Sequence, residues 1–111
     1  MSEARLASGF EVGALRRLAE AQGGSAMVVR KGDEERGQIL LCVSRRGSYV
    51  TFLERALQSS GHYQWAHIGP HPDDAKKADS FAQRLLKIDP DLWLIDLDIA
   101  DPERFVAEMT A

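Results

Sequence analysis

The alternation of apolar and polar positions divides the chain into eight elements. Ser8 and Glu11 match the S-x-x-E capping box, in which each side chain satisfies an orphan amide at a helix start. Phe10, Ala14, Leu18 and Ala21 follow at helical spacing with Leu15 beside them, and Arg16, Arg17, Glu20 and Gln22 fall opposite. This predicts an amphipathic helix closed by Gly23-Gly24. Ala26 to Arg30 reads as a strand, and Lys31 to Gly37 as a polar connection with glycines at its two ends. Gln38 to Ser44, Ser48 to Ala56 and His62 to Ile68 read as three further strands, separated by Arg45-Arg46-Gly47 and by the turn cluster Gln58 to Gly61. Strands joined by such short loops are expected to be antiparallel neighbours, a β-meander.

Gly69-Pro70-His71-Pro72 closes the meander and opens a second helix. Asp73 and Asp74 suit its positive end, and Ala75, Ala78, Ala82 and Leu85 form its stripe, widened by Phe81 and Leu86. Asp89-Pro90 stops it. Leu92 to Ile99 is the fifth strand, with Trp93, Ile95, Leu97 and Ile99 on one face and Leu92, Leu94, Asp96 and Asp98 on the other. Asp101-Pro102-Glu103 starts a short terminal helix through Phe105, Val106 and Met109. The expectation is one α+β domain over residues 1–111, in the order α-β-β-β-β-α-β-α: an antiparallel meander of about five strands, two main helices and a short C-terminal one.

The second strand, Ile39 to Val43, is apolar on both faces. The third places Val50 and Phe52 on one face and Tyr49, Thr51 and Leu53 on the other. Such strands need cover on both sides. Two longer helices lying on opposite faces would supply it. Otherwise Tyr49, Leu53, Tyr63 and Trp65 face outward, and a homodimer buries them. Trp65 fits either a core or an interface position.

Composition narrows the classes. In 111 residues, 44% are hydrophobic and 28% charged, which is ordinary for one globular domain. The net charge of −3 argues against a nucleic-acid partner, whose footprint is a basic excess. No apolar run reaches the roughly 20 residues that span a bilayer, so no membrane partner is expected. The lone Cys42 cannot form an internal disulfide, which with the absence of a leader pattern suggests the cytoplasm.

Candidate chemistry is sparse. His62, His67, His71, Asp73 and Asp74 carry metal-ligand groups, but His62 and His67 are an odd number apart on one strand and so face opposite ways. Asp96 and Asp98 share a face and read as a soluble sheet rim, Cys42 as a small core residue. The pairs Arg16-Arg17, Arg30-Lys31 and Arg45-Arg46 are dispersed among acids. No catalytic, cofactor or metal set is expected, and no cofactor.

The runs Val12-Gly13-Ala14-Leu15-Arg16-Arg17, Leu53-Glu54-Arg55 and Asp89-Pro90-Asp91-Leu92-Trp93 resemble a family of short alphaproteobacterial proteins known only as a domain of unknown function. The resemblance covers nearly the whole chain. It implies a bacterial, cytoplasmic protein and transfers no functional residue. The leading expectation is a small cytoplasmic non-enzymatic protein-interaction module, binding a protein partner or itself. The alternative is a small enzyme or ligand-binding protein with its site at the strand ends near Glu54, Arg55, His67 and Asp91.

Overall fold

The computed structural model describes residues 7–111. Helix α1 (Ser8–Ala21) leads into strand β1 (Ser25–Arg30). Strands β2 (Ile39–Arg45), β3 (Ser48–Leu57) and β4 (Tyr63–Ile68) follow. A 3-10 turn (Pro72–Lys77) opens helix α2 (Ala78–Ile88), and strand β5 (Trp93–Asp98) and helix α3 (Pro102–Met109) complete the α+β domain.

The sheet order is β1-β5-β2-β3-β4. Only β2-β3-β4 is a meander. β5 lies between β1 and β2, antiparallel to the first and parallel to the second, so the sheet is mixed rather than wholly antiparallel. The physical reason is burial on both faces. β2 and the run Leu92 to Ile95 that opens β5 are apolar on both sides, and strands of that kind belong in the sheet interior with helices above and below. The polar connection between β1 and β2 must then pass the start of β5. Gly32 and Gly37 make that passage possible, because a Cβ on either would lie 2.2 or 2.3 Å from the Asp91 carbonyl oxygen. The passage is fastened by Asp33 N–H to the Asp91 carbonyl (3.0 Å) and by Trp93 Nε1–H to the Asp33 carbonyl (2.8 Å).

Two cores result. Val12, Leu15 and Ala19 of α1, with Phe105 and Val106 of α3, cover Ile39, Leu41, Leu53, Trp65, Trp93, Ile95 and Leu97 on one face. Ala82 of α2, with Phe81 and Leu85, covers Leu40, Phe52, Leu92 and Leu94 on the other. One chain thus covers both sheet faces. Leu53 and Trp65, expected as possible interface residues, are buried inside it.

Three local readings change. The buried face of α1 is Ser8, Glu11, Val12, Leu15 and Ala19, a stripe rotated from the expected one, while Phe10 is 66% exposed. Ser8 and Glu11 are not a capping box: Ser8 Oγ donates to the Gly37 carbonyl (2.6 Å), which binds α1 to the β1–β2 connection. A bulge in the β2–β3 ladder leaves Val50 out of register and turns Tyr49 onto the Phe52 side, where the two rings lie 5.3 Å apart.

Candidate functional site

The residues singled out from the sequence do not gather at one place. Arg55 projects onto the α1 face and forms a two-pronged ion pair with the buried Glu11, one contact being Nη1 to Oε2 at 3.0 Å. Its guanidinium also lies 5.3 Å from the Trp65 ring centre. Glu54 projects the other way, into a cavity of about 120 Å³ lined by Leu40, Leu85, Ile88 and Leu92. His67 is exposed on β4, its Nδ1 3.1 Å from Thr51 Oγ1. Asp91 lies in the turn before β5, where its backbone holds the β1–β2 connection. Of the interface candidates, Tyr49 is half-buried and bonded to the Pro70 carbonyl (2.7 Å), and Tyr63 is exposed at the start of β4.

The acids and the thiol have structural placements. Asp98 accepts from the amides of Arg46 (2.8 Å) and Gly47 (3.1 Å) and so fixes the β2–β3 hairpin. Cys42 and Asp96 are register partners on the parallel pair β2 and β5. Burial, then the Asp96 charge, pushes the Cys42 thiol up to about 12, which keeps it from acting as a thiolate nucleophile near neutral pH. Burial likewise raises the Asp96 carboxyl above the usual range. His71 accepts from the Asp73 amide at the start of the 3-10 turn. Among the described residues, no three His, Cys, Asp or Glu side chains are placed to share a metal ion, and no helix is long and apolar enough to cross a membrane.

The most unusual surface is one that sequence reasoning missed. β1 is an edge strand: one side pairs with β5, and the other has no strand beside it among the described residues. Met27 and Val29 on it are 60% and 48% exposed. Met27 is the partner of Asp96, so it shares the sheet face covered elsewhere by α2. A bulge between Val28 and Arg30 inserts Val29 as an extra residue. Without it, Arg30 would follow Val28 onto the α1 face. With it, Arg30 turns toward α2 and donates to the carbonyls of Leu86 (2.8 Å), Asp89 (2.6 Å) and Leu92 (2.9 and 3.0 Å). The bulge therefore serves to aim a cation at the negative end of α2. Beside this contact runs a groove of about 530 Å³ lined by Arg30, Gln83, Arg84, Leu86 and Lys87. Among the described residues its lining carries three cations and no carboxylate. The sequence signal was faint, since Ala26-Met27-Val28-Val29 reads the same for an edge strand as for a central one.

Fold and surface together define a small three-layer α+β protein with an open, apolar strand edge. The chain belongs to the DUF1491 family, a protein of unknown function, whose model matches residues 6–107. It is similar to a DUF1491 protein from Caulobacter crescentus CB15 whose crystal structure is known, at 30% identity over 88% of this chain and 92% of that one, with a TM-score of 0.76. A solution structure of a DUF1491 protein from the same organism aligns at 31% identity over 90% and 91%, TM-score 0.73. A solution structure of a protein from A. tumefaciens aligns at 26% over 86% of each chain, TM-score 0.67. No curated protein matches.

Proposed function

We propose that this protein is a small non-enzymatic protein-interaction module of the cytoplasm, and that its binding element is the open edge of β1. The observation that carries the reading is the exposure of Met27 and Val29 on a strand whose outer main chain has no neighbouring strand among the described residues. Natural sheets protect such an edge with a proline, a charge, a bulge or a covering loop. On β1 the bulge and the charge of Arg30 lie at one end, and Ser25 to Val28 ahead of them contains neither proline nor charge. An unpaired edge with apolar side chains is suited to strand addition, in which main-chain hydrogen bonds give affinity and side chains give selectivity. The half-buried, un-ionised thiol of Cys42 suits a reducing compartment. The homodimer expected from sheet coverage loses its original argument, since α1, α3 and α2 cover both faces; a second copy becomes a competing occupant of the β1 edge.

Affinity capture from a native lysate, run in parallel with the wild type and with Met27→Lys/Val29→Lys, tests the reading. The wild type is expected to retain a stoichiometric protein that the variant releases, with both proteins melting within a few degrees of each other. Equal capture by the two, or no stoichiometric capture by either, would contradict it.

A further inference from the structure

The geometry points to the chemistry of the partner: an extended segment, apolar in one half and acidic in the other, added antiparallel to β1 with its acidic half in the groove beside α2. The inference rests on the reading of β1 as the binding element and adds the charge and direction of what binds.

Charge complementarity carries it. The molecule bears a net charge of −3, yet among the described residues the groove between β1 and α2 is lined by Arg30, Arg84 and Lys87 without a carboxylate. Arg30 is committed to the α2 carbonyls. Arg84 and Lys87 are exposed and have no ion-pair partner among the described residues. Elsewhere some exposed cations stand beside acids, as Lys31 with Glu34, Arg45 with Glu103, Lys77 with Asp74 and Arg104 with Glu108, whereas Arg16, Arg17, Arg36, Arg46 and Lys76, like Arg84 and Lys87, form no ion pair among the described residues. Arg84 and Lys87 thus stand beside an edge whose Met27 and Val29 are exposed, and no acid in the described groove lining answers them.

Direction follows from position. The groove adjoins the Arg30 end of β1, and Met27 lies toward its start. A strand added antiparallel, the commoner pairing, brings its N-terminal half to Arg84 and Lys87 and its C-terminal half to Met27. The segment is then acidic first and apolar after. A nucleic acid would use the cations but leave the main-chain edge and Met27 unmatched. A second copy would pair the edge, but an antiparallel two-fold contact sets its Gly23 to Met27 run, which has no carboxylate, beside Arg84 and Lys87.

The test is a fluorescence-anisotropy titration of the full-length protein with a labelled peptide, Glu-Asp-Glu-Val-Thr-Val-Thr-Val. Comparison probes are the same peptide with Lys-Arg-Lys in place of its acids, and a thymidine octanucleotide. The acidic peptide is expected to bind at least about tenfold tighter than the basic one, a difference of about one power of ten in Kd. Arg84→Glu/Lys87→Glu should reverse that order, and Val29→Lys should weaken both peptides. If the edge substitution abolishes binding while the charge reversal leaves the peptide order unchanged, the interaction reading survives and the acidic partner is overturned. Preferential binding of the oligonucleotide overturns it as well. So does a stable dimer by light scattering that Val29→Lys dissociates, and so does absence of binding by both peptides.

Discussion

The guanidinium of Arg55 joins β3 to α1 through Glu11 and rests against Trp65; Glu11 is buried, and the Arg55 side chain is 23% exposed. Removing one partner of such a pair strands the other as a buried charge, which costs about 3–5 kcal/mol, whereas replacing both with apolar groups of similar size is often neutral. Arg55→Met and Glu11→Leu should each destabilise by about that amount, and the double variant by much less; denaturant melts of the four proteins check it, and additive losses would deny the coupling. Asp96 offers a second test. Burial raises its folded pKa above the ordinary value of 3.8. Its contribution is therefore fully present below the unfolded value and lost as pH rises through the folded one. Asp96→Asn should accordingly melt higher than the parent at pH 7, with that gain gone at pH 3, as read by melting curves at the two values. At this scale the sequence was least legible. Ser8 and Glu11 have the spacing of a capping box, but spacing cannot reveal that Arg55, forty-four residues on, takes the carboxylate.

At the scale of elements, helix and strand positions were readable and their neighbours were not. The eight segments expected from periodicity all occur, because period 3.6 and period 2 are local signals. The insertion of β5 between β1 and β2 is a non-local choice. The sequence pattern of the fifth strand, with Asp96 and Asp98 on one face, reads as one-sided, and the glycines that let the β1–β2 connection pass gain their meaning only once β5 is in place. Bulges erase a strand's parity, which is why Tyr49 and Arg30 fall on faces that simple alternation does not assign them. Trp93 ties this arrangement together: it is 4% exposed, fills the α1-side core and donates to Asp33. Trp93→Ala should cost about 3–5 kcal/mol, the range for emptying a large aromatic site. A loss below about 1 kcal/mol in urea melts would show that it is not a core anchor.

For the molecule as a whole, the family motifs are scaffold. Val12 and Leu15 lie in the core, Arg55 in the ion pair, and Asp91 to Trp93 at the crossing of the β1–β2 connection. The surface assigned to binding lies outside those runs, on β1 and the outer side of α2, where the pattern of residues alone does not distinguish an edge from an interior strand. Amide hydrogen exchange by NMR, on the free protein and on its complex with the protein it captures, tests that assignment most directly. The outward amides of Ser25–Arg30 should exchange fast in the free protein and become protected in the complex, with the β4 edge unchanged. Protection appearing on Tyr63–Ile68 or on a helix, with β1 unaltered, would contradict the assignment of the β1 edge as the binding surface.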